Sequence, residues 1–459
     1  MNFIGRQDEL GILKKAYESN DYEGIVVYGR RRIGKSELIK ESYKDTDLIS
    51  LYYECVDASE KTNAKFLSEK ISEVFNMPTP NFVSIRECLK FIFTQSLDKP
   101  VVLVLDEYPY LRKNNYSLDS IIQTIVDEYK NKCHLKFILC GSYVAVMKEI
   151  LSSKNPLYGR FSIKINVRQM NYYDSAKFYP LMTNEDKVAI YSVFGGVPYY
   201  NQFIDDKLSV EENIINLVAS PNSRLLTEAK DFVALEINKM ANANETFTAI
   251  AAGNKKFSDI LNKSHVTSSP TLVDVLKKLE DMDAISRVSP INDESQKKAI
   301  YEICDRLTLF YYKYIFRRLS FFGTMNSKDF FNEFIKEDFY EHFVPKEFER
   351  ISAQYLIKQN IERKINPPLY KVGKYYYDDP INKTNGEFDV VTMNKNGYDF
   401  YEVKFTKELV DDSVVNEEKY QLSKKNIEYN KLGFISKSGF SINDPENYIL
   451  ITIDDIYNA

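Results

Sequence analysis

The chain has 459 residues, of which 44% are hydrophobic and 28% charged, and its formal net charge is −5. That length exceeds one compact core, and at about 150 residues per domain it suggests roughly three domains. The acidic balance excludes a global field for nucleic acid, so any DNA contact must come from a local patch, and the lack of an apolar run of about 18 residues excludes a membrane-spanning helix.

Residues 3–20 carry Leu10, Leu13 and Tyr17 at helical spacing, with Asp8 and Glu9 in the first turn and Phe3-Ile4-Gly5-Arg6 leading in. The opening MNFIGRQDEL has no apolar leader core, so secretion is not expected. The five cysteines (Cys55, Cys88, Cys133, Cys140, Cys304) form no C-x-x-C pair, and three histidines are too few to suggest zinc. A reducing, cytoplasmic setting is expected.

Ile25 to Tyr28 is a short apolar run that predicts a buried strand. Gly29-Arg30-Arg31-Arg32-Ile33-Gly34-Lys35-Ser36 follows and fits G-x-x-x-x-G-K-S, and Glu37-Leu38-Ile39 opens a helix. Strand, glycine-bounded loop and helix is the context of a phosphate-binding loop. The glycines let backbone N–H groups converge on anionic oxygens, and the helix N-terminus adds partial positive charge. Lys35 is expected on the β- and γ-phosphates of ATP, and the Ser36 hydroxyl on Mg²⁺.

Residues 48–55 predict a second strand and residues 62–76 an amphipathic helix. Residues 100–107 (PVVLVLDE) read as a fully buried parallel strand ending in two acids. Ligands of such sheets lie beyond the carboxyl ends of strands. There Asp106 suits Mg²⁺, and Glu107 suits polarising the attacking water. Residues 136–142 are another strand, with Ser142 at its end as a γ-phosphate sensor or a plain turn residue. Arg160, in Leu157-Tyr158-Gly159-Arg160, is either a solvated surface residue or a stabiliser of transition-state charge, in cis or from a neighbouring subunit.

Phe3-Ile4-Gly5-Arg6-x-x-Glu9-Leu10, GRRRIGKS, LVLDE, the CGS turn and LYGR together resemble the AAA+/STAND-type ATPases of archaea and anaerobic bacteria. From the residues alone, Gly195-Gly196-Val197-Pro198-Tyr199-Tyr200, after a helix at 184–194, is a helix stop and turn. The resemblance implies a helical lid over residues 170–220, with Gly196 and Pro198 near the adenine.

Residues 225–315 are mostly helical by period. A short helix from Phe257, a Ser/Thr-rich turn at 263–268, and a helix from Ser269-Pro270 with Leu272, Val275, Leu276 and Leu279 on one face come first. Strands at 285–288 and 299–303 around a polar wing at 289–298 complete a winged-helix pattern. Such domains bind duplex DNA through the second helix, but Asp274, Glu280, Asp281 and Asp283 offset Lys277 and Lys278, so a structural or protein-binding role is equally open. Asp305 starts a helix that leaves the domain.

In the last third, Pro345 opens a helix carrying Glu349. Strands at 386–391 and 398–405 flank Asn394-Lys395-Asn396-Gly397, a strong hairpin turn. A turn centred between Lys395 and Asn396 opposes Asp389 to Glu402; an Asn396-Gly397 turn opposes Asp389 to Lys404. Either register puts Asp389, Glu402 and Lys404 on one face, because alternate residues share a side. Two carboxylates and a lysine so placed suit a metal-dependent phosphodiesterase: Asp389, Glu402 and Glu349 on Mg²⁺ or Mn²⁺, and Lys404 on the developing charge. The D-x(12)-E-x-K pattern resembles the PD-(D/E)XK restriction-endonuclease-like core, with Phe388 where that pattern has proline. Such a domain, often of unknown function, follows the ATPase in related archaeal-type chains. Lys419, Lys424, Lys425 and Lys431 are expected on a following helical stretch, meeting phosphates or water.

The expected fold is thus α/β multidomain: a P-loop parallel-sheet ATPase core (1–168), a helical lid (169–224), a winged helix (225–318) and a nuclease-like α/β domain (319–459). The expected activity is Mg²⁺-dependent ATP hydrolysis coupled to DNA binding or processing, or else a nucleotide-controlled switch acting on protein partners. Self-association is a further expectation.

Overall fold

A computed structural model of the chain describes residues 3–230, 242–293, 298–379 and 384–458. It divides into two compact units: residues up to Met170 with Val197–Tyr199 and Asp281–Asp283, and the remainder.

The first unit is built on a five-stranded parallel sheet. Helix α1 (Gln7–Glu18) leads into β1 (Glu23–Tyr28), helix α2 (Lys35–Tyr43), β2 (Ile49–Glu54), β3 (Val101–Asp106), β4 (Leu135–Gly141) and β5 (Ile163–Asn166), in the order β2-β3-β4-β1-β5. Every residue of β3 and β4 is buried, as continuous apolar runs covered on both faces require. The register pairs Tyr28 with Gly141 and Leu105 with Leu139. The carboxyl ends of β1, β3 and β4 therefore lie side by side, carrying Gly29, Asp106-Glu107 and Ser142. Two strand spacings, about 10 Å, separate β1 from β3, and the start of α2 spans that gap.

The second unit contains helix α3 (Asn184–Phe194), capped by the Thr183 hydroxyl and ended by Gly195 at φ 55°. Helices α4 (Phe257–Lys263) and α5 (Ser269–Asp281) precede an antiparallel hairpin of β6 (Ile285–Val288) and β7 (Ile300–Ile303). Lys256, just before α4, bridges to Ile300. Part of the expected wing (294–297) and residues 231–241 lie outside the described residues. Asp305 then caps a helix at Arg306–Phe310.

Helix α6 (Val344–Ile361), with Pro345 in its first turn, precedes β8 (Lys371–Asp379), β9 (Thr384–Asn394) and β10 (Gly397–Lys404). Helix α7 (Asp412–Lys424) then leads to β12 (Lys431–Ser436), β14 (Ile449–Thr452) and helix α8 (Ile453–Asn458). The sheet order is β14-β12-β10-β9-β8, with β9 antiparallel to both neighbours and β10, β12 and β14 parallel. A small parallel pair joins β11 (Val410–Asp411) to β13 (Phe440–Ser441).

These parts of the second unit share a core. Helix α3 packs on α6 and α8. The Tyr172 hydroxyl donates to the Ile456 carbonyl at 3.0 Å. Glu302 on β7 takes Lys255 at 2.7 Å and Arg350 of α6 at 3.0 Å, and buried Arg306 pairs with Glu347 at 3.3 Å. Buried charges persist where each has a partner.

Candidate functional site

The first unit brings the phosphate-loop residues, Asp106, Glu107, Ser142 and Pro198 to one end of its sheet. A Cβ on Gly29 would fall 2.2 Å from the Val167 carbonyl oxygen, so only glycine lets the loop pass there. Gly34 sits at φ 89° and Arg32 at φ 67°, the two left-handed residues that fold the loop back onto α2. Ile33 is buried, which anchors the loop from below, while Arg31 and Arg32 are exposed. Arg30 is buried. Lys35 is 6% exposed, and its Nζ donates to the carbonyls of Gly29 (2.9 Å) and Arg30 (3.0 Å). The ammonium thus lies under the cradle. Glu37 is exposed beside Lys40, so from the first turn of α2 it offers the loop a backbone N–H and no side-chain contact.

Across the gap, the Ser36 hydroxyl donates to Asp106 Oδ2 at 2.7 Å. The Tyr52 hydroxyl donates to the same oxygen, and the Glu107 amide donates to Oδ1 at 2.9 Å. Burial alone would raise the Asp106 pKa, but hydrogen bonds from the Cys140 thiol, Tyr52, Ser36 and the Glu107 amide outweigh it and hold the carboxyl below its usual range. Asp106 is therefore an ionised, buried oxygen donor 2.7 Å from a hydroxyl, a pair that suits a hard divalent cation such as Mg²⁺.

Glu107 turns aside at φ 49°. Its carboxylate accepts the Ser142 hydroxyl at 2.7 and 2.8 Å and the Ser142 amide at 3.3 Å. Ser142 thus meets Glu107 directly, a contact from which the strand spacing alone gave no warning. Pro198 lies 3.7 Å from where a Gly34 Cβ would stand, and the Arg32 guanidinium lies 4.1 Å over the Tyr199 ring. The Val197–Tyr199 stretch is therefore at the loop.

Arg160 is not brought to the loop. Its guanidinium pairs with Asp127 at 2.7 Å, and its carbonyl abuts Gly24 near the amino end of β1, the opposite edge of the sheet. The cis role expected for it is corrected on that ground. Three residues at the site have no role assigned from the sequence, although Arg6 and Cys140 lie in the motifs that carry the resemblance. Tyr52 and Cys140 both bond Asp106. Arg6 donates to the carbonyls of Ile33 (3.2 Å) and Arg168 (2.5 Å), clamping the loop to the chain after β5. A polar or thiol group inside an apolar strand run was the available hint for the first two.

The C-terminal carboxylates fall into two groups where one was expected. The hairpin closes at Asn394–Gly397, so the turn is Lys395-Asn396 and the register is the first of the two considered. The ladder stops at Tyr401–Val390, one pair short of Asp389 and Glu402. There β9 is bulged against β8: Gly373 faces Val391, but Tyr375 faces Phe388. The extra residue flips Asp389 to the other side, as a bulge does.

Asp389 pairs with Lys374, which also meets Glu387 at 3.2 Å and Glu349 of α6 at 3.8 Å. Glu402 keeps the face of Phe400, which packs on Val415 and Leu422 of α7. It pairs with Lys404 at 2.6 Å and meets Glu418 of α7. Burial and then Asp389 push Glu349 up to about 8; burial also raises Asp389, but Lys374, Lys346 and the Glu349 hydrogen bond together hold it low. Burial and then Glu402 push Glu418 up to about 8.

Among the described residues, no group of three or more Asp, Glu, His or Cys side chains could hold a metal ion. Asp389 is taken by an ammonium and Glu349 favours its proton, so this donor set does not fit a divalent cation. The expectation that Asp389, Glu402 and Lys404 share one face, with Glu349 as a further ligand, is corrected: the bulge leaves Asp389 with Glu349 and Glu402 with Lys404. Lys431 likewise begins β12, because α7 ends at Lys424. No helix among the described residues is long and apolar enough to cross a membrane.

Comparison with known proteins places this geometry in context. Residues 3–201 match the model of an ATPase domain found predominantly in Archaea, and residues 311–423 match a family of archaeal and bacterial proteins of unknown function. An uncharacterized protein of Methanocaldococcus jannaschii is 30% identical over 421 residues, covering 90% of this chain and 89% of that protein. An uncharacterized ATP-binding protein of the same organism is 25% identical over 281 residues, 49% of this chain and 76% of its own length. The Walker-type ATPase of Pyrococcus abyssi superposes with a TM-score of 0.52 at 17% identity, covering 68% of this chain and 96% of its own. That likeness concerns the fold.

Proposed function

The chain belongs to the family of archaeal-type proteins in which an ATPase domain precedes a domain of unknown function, and from that premise we propose that it hydrolyses ATP and couples the nucleotide cycle to nucleic-acid binding by its C-terminal domain. The carrying observation is the Ser36–Asp106 contact of 2.7 Å beside Lys35. It joins the phosphate loop to the acid that caps β3.

Lys35 leaves the Gly29 and Arg30 carbonyls to meet the β- and γ-phosphates, while the loop amides take their remaining oxygens. Ser36 and Asp106 would hold Mg²⁺, which supplies neutralisation of phosphate charge. Glu107 takes the proton of the attacking water, and Ser142 sets the carboxylate's direction. Arg6 and the buried Ile33 keep the loop from collapsing.

The helix–turn–helix and hairpin at 257–303 supports reading that segment as a winged helix. The helix, three-strand, helix, strand order after residue 344 supports a nuclease-like fold for the last part. The split carboxylates favour binding over cutting there.

ATP turnover with and without single-stranded or duplex DNA tests the coupling. DNA should raise kcat. A protein that binds no nucleic acid in any nucleotide state, with turnover indifferent to it, would overturn the coupling and leave the ATPase reading intact.

A further inference from the structure

We infer that the C-terminal domain binds single-stranded nucleic acid in a tyrosine-lined groove of about 590 Å³ between β8, the β9–β10 turn and the segment linking α7 to β12. This rests on the nucleic-acid reading above and names its site and substrate class. Neither carboxylate pair is part of it.

The groove's walls are rings. Tyr375, Tyr377, Tyr398 and Tyr429 line it. Tyr375 meets Tyr398 edge-on at 5.4 Å, and Tyr429 is 41% exposed. The Lys425 ammonium lies 5.2 Å from the centre of the Tyr377 ring. Lysines flank the lining along the chain. Lys395, Lys424 and Lys431 each adjoin a lining residue (Asn396, Lys425 and Asn430), are exposed, and have no ion pair among the described residues. Glu428 is the one carboxylate among the lining residues.

The frame is set in advance by buried Asp399. It accepts the side-chain amides of Asn394 (2.8 Å) and Asn430 (2.7 Å), and Asn394 accepts the Asn396 amide at 2.8 Å. Turn and linker are thus tied to the same carboxylate.

Aromatic rings with lysines beside them suit unstacked bases and their phosphates. The volume is of the order that holds a small ligand, within the roughly 300–1,000 Å³ of such pockets. Duplex bases are stacked inside the helix and cannot enter it, which singles out single strands. The acidic chain as a whole offers no competing field, so the patch must act locally.

The test uses the full chain and fluorescein-labelled dT20, U20 and a 20-base-pair duplex, read by anisotropy over a salt series. Expected is preference for the single strands, with the dT20 and U20 arms showing which sugar is favoured. Tyr429→Ala should weaken single-strand binding about fivefold or more at unchanged salt slope. Lys424→Glu with Lys431→Glu should weaken it further and reduce the slope by about 1 to 1.5. Both variants alter exposed side chains and should keep basal ATP turnover. Equal binding by wild type and both variants, or preference for duplex, overturns the groove while leaving the coupling standing. No nucleic-acid binding by wild type sinks both.

Discussion

The Glu107–Ser142 pair gives the sharpest test of the ATPase chemistry. The Ser142 hydroxyl reaches both carboxylate oxygens, at 2.7 and 2.8 Å, and the amide adds a weaker bond at 3.3 Å. A hydrogen bond to a charged acceptor contributes about 1.5–3 kcal/mol. Glu107 is half-buried, so water replaces part of what Ser142→Ala removes, leaving about 1–2 kcal/mol of lost positioning. At 1.36 kcal/mol per decade this lowers kcat roughly 5- to 30-fold. ATP affinity should not move, because Ser142 touches the carboxylate and not the loop. Glu107→Gln removes the base and should cost about 10²-fold or more in kcat. The double variant should then be no slower than Glu107→Gln by more than about threefold, since Ser142 acts through the group already lost. The assay is steady-state phosphate release with ATP binding measured separately. Full multiplication of the two effects, or a faster Ser142→Ala enzyme, refutes the assignment of Ser142 as the positioning residue for Glu107.

Lys35→Ala removes an ammonium that should reach two phosphates; ATP binding should weaken at least tenfold and turnover disappear, while unchanged affinity in calorimetry would refute the loop assignment. The stability of the second unit should fall as pH rises from about 5 to 9. Glu418, pushed up to about 8 by burial and Glu402, holds a proton in the native state that the unfolded chain releases near 4.5, so its contribution is complete at low pH and lost through pH 8. Glu349, pushed up to about 8 as well, contributes in the same window, so Glu418→Gln should reduce that slope by about half and stabilise at pH 9 by on the order of 2 kcal/mol, read by denaturant melts at each pH. The separated carboxylates predict no Mg²⁺- or Mn²⁺-dependent nicking of supercoiled DNA; nicking that Glu402→Ala abolishes would show that the two groups come together.

The first unit was legible because its signals are local. Gly29 to Ser36 carries its own strand and helix context, and PVVLVLDE can only be a strand buried on both faces. The β1, β3 and β4 ends meet because parallel strands in register share an edge, so motifs about 70 residues apart land together without any information about contacts. What stayed hidden was lateral. Tyr52 and Cys140 reach Asp106 from neighbouring strands, and Arg6 reaches Ile33 across the loop, pairings that depend on strand order. That order was not readable from strands of similar apolar character.

The C-terminal misreading has a different origin. The sequence marks the turn and allows its register as one of two, but alternation along β9 fails beyond residue 390. Period-2 reasoning holds only while the ladder is unbroken. The break comes from β8, whose run of three tyrosines does not alternate and so carries no strand signal of its own. Its partner strand accommodates Gly373 and Lys374 by adding a residue, and that single residue moves Asp389 from the α7 face to the α6 face. The same insertion gives Asp389 an ammonium in place of Glu402. A D-x(12)-E-x-K pattern therefore specifies a shared metal site only when the strand preceding the aspartate is also known. Here that strand supplies Lys374 to one face and Tyr375 and Tyr377 to the other, so the feature that divides the carboxylates also presents the rings of the groove.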